Sequence, residues 1–308
     1  MHLKSRISIR LFLNLRLKKL KTKTFGIFLT LHLQFDLGFE SKLAMVCSYQ
    51  IKDLCMQISE QIVLVTGGAR GLGLAISQAL IAEGAQVVVN YFSSQTAAQQ
   101  LALDFPQQVF AYQADVTDKA QVEQLFTAAK AHFGASITSV VNNALIDFQF
   151  NGDARPKIAE LTAQNLQQQF NGAVVAALNT TQAALEDMQN AHFGRIVNIG
   201  TNLVQNPVVP YHDYTAAKAA LLAFTRTAAH ELGEYGINVN MLSGGLLQST
   251  DASKATPDAV FDLIAASTPL RTVTTPDEFA AAIMIFLSPY SRAVTGQNLI
   301  VDGGLVKG

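Results

Sequence analysis

An α/β fold, a doubly wound parallel sheet of seven strands flanked by helices, is the class this 308-residue sequence predicts. Two observations carry it. From residue 61 onward, short runs of β-branched and apolar residues alternate with stretches of helical periodicity, the pattern of repeated strand–helix units. The runs are apolar almost throughout, as strands covered on both faces must be. No internal repeat or low-complexity tract interrupts the alternation, and one domain over 58–308 accounts for it.

Taken in order, "QIVLVT" (61–66) is the first strand, and the glycines that follow it open a helix, "GLAISQALIAEG" (73–84). Gly84 closes that helix because glycine adopts the left-handed C-cap conformation freely. "AQVVVN" (85–90) and "QVFAYQAD" (108–115) are the second and third strands. "DKAQVEQLFTAAKAHFG" (118–134) is a helix that ends on Gly134, and "ITSVVNNA" (137–144) is the fourth strand. "GRIVNIG" (194–200), "GINVNML" (236–242) and "GQNLIVDGG" (296–304) complete the sheet. Between the last two, the stretch from Leu246 to Arg271 contains "ATPDAVFDLIAASTPL", apolar at helical spacing, which reads as a substrate lid or as ordinary helix packing.

Residues 1–57 differ in composition and are read as an amino-terminal extension, disordered or outside the mature protein, with Met45 and Met56 as alternative starts. They carry ten Lys/Arg against three Asp/Glu, so a net charge of −1 conceals +7 here and −8 in the rest. The strand-like alternation of "RISIRLFLNLRLKKLKTK" and the short apolar "FGIFLTLHLQF" argue against a membrane span, which needs about 20 apolar residues. A peripheral membrane anchor is the alternative for this basic, apolar segment. The acidic remainder lacks the basic stripe of a nucleic-acid binder. The only cysteines, Cys47 and Cys55, lie in the extension, so the main domain holds neither a disulfide framework nor a cysteine-based metal site; cytoplasmic localisation is the expectation.

"VTGGARGLGLA" places Gly67, Gly71 and Gly73 between the first strand and the first helix. Glycines let the backbone approach a pyrophosphate, and the helix amino terminus meets its charge with free N–H groups. No Gly-Lys-Ser/Thr follows, which disfavours nucleotide hydrolysis. Position in the first strand–helix unit favours a dinucleotide loop of Rossmann type, with Gly67, Arg70, Gly71, Leu72 and Gly73 as its cofactor-facing residues, over a glycine-rich turn without a ligand. The second strand ends "VVVNYFSS", without the carboxylate that would bind an NAD ribose. Asn90, Tyr91 and Ser93 there, with Arg70 as a counter-charge for a 2′-phosphate, favour NADP(H) over NAD(H).

In "PYHDYTAAKAALLAF" (210–224), Tyr214 and Lys218 stand four apart and share one helix face. An ammonium beside a phenol lowers the phenol pKa from about 10 toward neutrality. The pair alone is also compatible with two surface residues. Thr201, thirteen residues upstream, and Asn171 in "QQQFNGAVVAALNTTQAAL" supply the company a catalytic site needs. His212 reads as a rim or surface residue.

With "TGGARGLG", "ADV" (114–116), "NNA" (142–144), Asn171, Thr201, "YTAAK" and "TGQNLIVDGG" in order, the chain resembles the short-chain dehydrogenase/reductase family over residues 58–308, and within it the 3-oxoacyl-[acyl-carrier-protein] reductases. The resemblance implies Tyr214 as general acid, Lys218 as ribose clamp and pKa modulator, Thr201 in place of the family's serine, and Asn171 in support of a water relay to the lysine. It further implies Asp115 and Val116 at the adenine, Asn142 and Ala144 at the adenosine half, and Leu247 at the nicotinamide amide. Reduction of a 3-oxoacyl thioester on acyl-carrier protein or coenzyme A, without metal, by a homotetramer with its last helix and carboxy-terminal strand near an interface, is the implied activity. A sugar, quinone or other small carbonyl as substrate, or a non-catalytic nucleotide-binding scaffold, are the alternatives. Three positions depart from the pattern: Thr201 carries an extra methyl, Leu145 replaces a glycine, and Gly244 stands where Pro-Gly is usual and is expected to loosen its turn.

Overall fold

A computed structural model describes residues 56–307, apart from 147, 149, 151–154, 249, 251 and 252. The expectations for the basic extension, including Met45, Cys47 and Cys55, concern residues outside this set. The described chain forms a seven-stranded sheet in the order β3-β2-β1-β4-β5-β6-β7, with every neighbouring pair parallel. The strands are β1 (Ile62–Val65), β2 (Gln86–Tyr91), β3 (Val109–Gln113), β4 (Ser139–Asn142), β5 (Gly194–Thr201), β6 (Ile237–Gly244) and β7 (Asn298–Val301). Each lies within, or within two residues of, an apolar run read from the sequence.

The helices are α1 (Gly71–Ala82), α2 (Gln95–Asp104), α3 (Lys119–Phe133), α4 (Ala163–Phe170), α5 (Ala176–Ala191), α6 (His212–Leu232), α7 (Asp258–Ser267) and α8 (Pro276–Leu287). A π-helical turn, Asn171–Val175, joins α4 to α5. Local chemistry sets several ends. Asp118 caps α3 by accepting from the Ala120 and Gln121 amides, and Gly134 ends it at φ 70°. Thr275 and Glu278 form a capping box at α8, where Pro276 occupies the first turn.

Alternate residues of β1 feed two cores. Val63 and Val65 pack with Ile76 and Leu80 of α1 and Phe279 and Ile283 of α8. Ile62 and Leu64 face Leu125 of α3, Met188 of α5 and Leu232 of α6. Strand order reverses between β1 and β4, which opens a crevice at their carboxyl ends, the place where doubly wound sheets hold ligands. Among the described residues no helix is long and apolar enough to cross a membrane.

Gly244 differs from its expected role. It is the last residue of β6, paired with Thr201 and Val301, and a Cβ there would come within 2.9 Å of the Phe279 ring. The missing proline leaves no loose turn, because the residue belongs to the ladder and its small size admits a core aromatic.

Candidate active site

Three loops meet above the carboxyl ends of β1, β4 and β5. The first is the glycine loop. Gly67 and Gly71 have φ of 63° and 52°, a region costly for residues with a Cβ. A Cβ on Gly73 would lie 2.1 Å from the Gly67 carbonyl oxygen, whereas one on Gly71 would meet nothing within 4 Å. The loop is thus folded tightly on its own backbone and open on the outer side of Gly71, at the start of α1. Ser77 Oγ donates to the Gly68 and Gly73 carbonyls, and the Asn143 amide donates to the Thr66 carbonyl at 2.9 Å. This cradle, with the free N–H groups of α1 behind it, fits a dinucleotide pyrophosphate.

The other cofactor candidates divide between lining and scaffold. Arg70 is exposed at the N-cap of α1, and Ser93 is exposed beyond β2, while Tyr91 is buried in the core. The Asn90 side chain is spent inside the protein: its oxygen accepts from the Gly67 amide and its nitrogen donates to the Ala114 carbonyl. Asn142 likewise donates to Asn198 and accepts from Thr180. Both side-chain amides stiffen the sheet end, because a buried amide must find partners. One Asp115 oxygen accepts from the Thr117 amide and hydroxyl, and Val116 is buried against Val122 and Ala176. The Ala144 amide donates to the Thr66 hydroxyl oxygen, and Ala144 approaches Gly67; Leu72 and Leu247 pack partly buried against the core.

The reactive groups stand at β5 and α6. Buried residues of α6 recur at Tyr214, Ala217, Lys218, Leu221 and Leu222, so the stripe that docks the helix also carries the tyrosine and the lysine inward. Thr201 closes β5, buried, with its hydroxyl accepting from the Leu203 amide and lowering the pKa of the Tyr214 phenol. Lys218 Nζ donates to the Ile199 carbonyl at 2.7 Å and lies 5.8 Å from the Tyr214 ring centre. The phenol pKa is pushed up to about 12, chiefly by burial, against the lowering effect of Thr201. Burial also pushes the lysine down to about 8. The expected lowering of the tyrosine by the lysine is therefore overridden in this conformation: desolvation outweighs a charge held at that distance and engaged with a carbonyl.

Asn171 is not brought to this group. It opens the π-helical turn with an exposed side chain that accepts from Gln167 Nε2 at 2.8 Å, while Gly172 and Ala173 turn inward. A π-turn inserts an extra residue, which rotates a side chain off the face that α-helical spacing assigns it. His212 is exposed, as read; its neighbours Tyr211 and Asp213 are buried.

A layer that sequence reasoning missed covers Tyr214. Phe148 stacks on the phenol ring at 4.3 Å between centroids and meets Tyr211 and Phe150 edge-on. The Arg155 guanidinium lies 4.4 Å over Phe148 and pairs with Asp213 at 2.5 Å; Asp213 also accepts the Tyr214 amide. Leu145, the residue in place of glycine, joins this cluster with Leu203 and Val209. Its side chain thus extends the aromatic wall, and the close approach to Gly67 is made by Ala144. The acidic residue before the tyrosine was the one local signal; its arginine lies 58 residues away. Beyond β6, α7 has no fully buried residue, and a cavity of about 280 Å³ lies among Phe261, Ala265, Val273 and Thr275. No cluster of metal-ligating side chains occurs among the described residues.

Comparison with known proteins gives one answer at the level of family. A family model described as enoyl-(acyl carrier protein) reductase matches residues 67–306. The 3-oxoacyl-[acyl-carrier-protein] reductase MabA of Mycobacterium tuberculosis is 30% identical over 246 residues, 80% of this chain and 93% of its own. A 3-oxoacyl-[acyl-carrier-protein] reductase of Synechocystis is 31% identical over 256 residues, 81% of this chain and 98% of its own. A solved structure provisionally assigned as a gluconate dehydrogenase, from Agrobacterium tumefaciens, has a TM-score of 0.73 at 28% identity, covering 81% of this chain and 97% of that one. The extent of these matches, on a doubly wound sheet with a glycine loop at its first turn, identifies the chain as a member of the short-chain dehydrogenase/reductase family of NAD(P)-using oxidoreductases.

Proposed function

We propose that the protein is an NADP(H)-dependent reductase that converts the ketone of a 3-oxoacyl thioester, carried on acyl-carrier protein or coenzyme A, to a secondary alcohol. The observation that carries this reading is the burial of Tyr214 and Lys218 on one face of α6, with Lys218 anchored to the Ile199 carbonyl of β5, the strand that ends in the buried Thr201. When bound, the nicotinamide supplies the hydride. Thr201 orients the ketone oxygen, and Tyr214, protonated throughout the neutral range, donates the proton that balances the hydride. Lys218 supports reprotonation of the phenolate that results. Water is held away from the reacting carbon by the Phe148, Tyr211 and Leu203 cluster.

Support for an acyl chain comes from that apolar wall and from the two 3-oxoacyl reductases among the relatives. The sugar alternative draws on the likeness to the gluconate dehydrogenase, but a wall of aromatic and aliphatic side chains offers a polyol few partners. The absence of a carboxylate from Asn90 to Ser94, with Arg70 exposed across the loop, supports NADP(H). The same reading takes residues 58–308 as the working domain, assembled as a cytoplasmic homotetramer. A panel of NADH and NADPH against acetoacetyl thioesters, keto-sugar acids and quinones tests it. Oxidation of NADPH with the thioesters is expected; turnover of a keto-sugar acid or quinone alone overturns the substrate, and preference for NADH overturns the cofactor assignment.

A further inference from the structure

One row beyond the end of the sheet, two buried polar side chains meet across an intervening strand. Thr201, Gly244 and Val301 pair as the last row of β5, β6 and β7. The next residue of each strand is Asn202, Gly245 or Asp302. Neighbouring strands lie about 4.8 Å apart, so roughly 10 Å separates β5 from β7 with β6 between them. Asn202 Nδ2 nevertheless donates to Asp302 Oδ2 at 2.9 Å, and the two residues are 6% and 5% exposed. Gly245 makes the crossing possible: a Cβ there would stand 3.0 Å from Asn202 Nδ2 and 3.2 Å from Asp302 Cβ. A buried carboxylate is costly unless donors surround it. Asp302 also accepts from the Gly304 and Val306 amides at 3.1 and 3.0 Å, so the carboxy-terminal turn holds it in place independently of β5.

Asn202 ties that anchor to the reactive hydroxyl. It opens the short helical turn Asn202–Val204, whose Leu203 amide donates to Thr201 Oγ1 at 3.3 Å. The Asn202 carbonyl accepts from the Gln205 and Asn206 amides and closes the same turn. A side chain fastened at Asp302 therefore fixes the turn, the turn fixes the Leu203 amide, and the amide fixes the threonine hydroxyl. We propose that Asn202 is a positioning residue that acts through Thr201: its bond to Asp302 over Gly245 holds the Thr201 hydroxyl where the ketone oxygen must lie for hydride transfer. This rests on the reductase reading. Asn202 itself touches neither ketone nor cofactor and exchanges no proton.

The test uses Asn202→Ala in the full chain, alone and combined with Thr201→Ala, and Ser243→Ala as a control, with single-turnover NADPH oxidation, KM and urea unfolding. Ser243 pairs with Gly200 and Ile300, one row below Thr201; it is buried and donates to Asn298 at 2.7 Å, so its replacement removes a bond of the same kind. Misplacing a reacting group by about 1 Å costs up to ~10²-fold, and Asn202→Ala is expected to lower the rate roughly 10-fold or more with KM changed by less than about twofold. With Thr201→Ala already present, the same substitution is expected to cost less than about twofold, because the group it positions is gone. Ser243→Ala is expected to lose a similar amount in urea midpoint while its rate stays within about twofold of wild type. A rate loss that persists undiminished without the Thr201 hydroxyl, or one that Ser243→Ala shares, makes Asn202 a brace of the sheet end and overturns the proposal. A working wild type beside an unaffected Asn202→Ala overturns the proposal alone, whereas a wild type that reduces no ketone overturns the reductase reading and the proposal with it.

Discussion

Replacing Asp213 by asparagine isolates the charge that ties the aromatic cover to Tyr214. The carboxylate accepts the Tyr214 amide through Oδ1 and pairs with Arg155 through Oδ2, and an asparagine oxygen preserves the first contact. What is lost is compensation of a guanidinium whose side chain is only 14% exposed and whose Nε has no hydrogen-bond partner among the described residues. Breaking a buried pair from one side costs about 3–5 kcal/mol, and the residual exposure of Arg155 places this case near about 3 kcal/mol. At about 2–4 °C per kcal/mol for a domain of this size, Tm falls by roughly 6–12 °C. The double variant with Arg155→Met removes the stranded charge and should recover all but about 1–2 kcal/mol, the share of the guanidinium stacked on Phe148. Urea unfolding of the four proteins in the cycle measures this. A single variant within about 1 kcal/mol of wild type, or a double variant whose loss equals the sum of the singles, would refute the reasoning.

The glycine loop predicts a sharp difference between two similar substitutions. Gly73→Ala forces a Cβ to 2.1 Å from a backbone oxygen and should displace the loop, abolishing measurable NADPH binding in a fluorescence titration; Gly71→Ala meets only its left-handed φ and should lose about 1–2 kcal/mol in stability. Equal stability losses for the two would contradict the geometry. Stability should also depend on pH with opposite signs in two windows. Lys218 titrates near 8 when folded and at its ordinary 10.5 when unfolded, so between those values the unfolded chain binds the extra proton and stability rises with pH. Tyr214, near 12 when folded against an ordinary 10, keeps its proton after the unfolded chain has lost it, so stability falls from pH 10 to 12. Comparison of urea midpoints at pH 7 and 9.5 should show the gap between Lys218→Met and wild type shifting toward wild type at the higher pH; a constant gap would exclude the buried, depressed lysine.

Much of this fold is legible because parallel strands buried on both faces leave uninterrupted apolar runs, and each run falls on or beside its strand. Tyr214, Lys218 and Thr201 were legible for a related reason: helical spacing fixes the first two on one face, and the end of an apolar strand fixes the third. Other features lay beyond any local pattern. The internal side-chain partners of Asn90 and Asn142 come from 24 and 38 residues away. Asn171 was expected on the strength of resemblance alone, and no local pattern announces the π-turn that it opens or its bond from Gln167. Nothing near Phe148 foretells its stacking on Tyr214. The direction of the tyrosine pKa was missed because spacing reports a neighbour's charge and not the depth of burial.

The central claim is that Tyr214 donates the proton, and Tyr214→Phe tests it most directly, since it removes one hydroxyl and leaves the ring in its stack with Phe148. NADPH oxidation with an acetoacetyl thioester, measured beside NADPH affinity, should fall by about 10²-fold or more while the affinity stays within about threefold of wild type. Turnover at the wild-type rate in that variant would contradict the account.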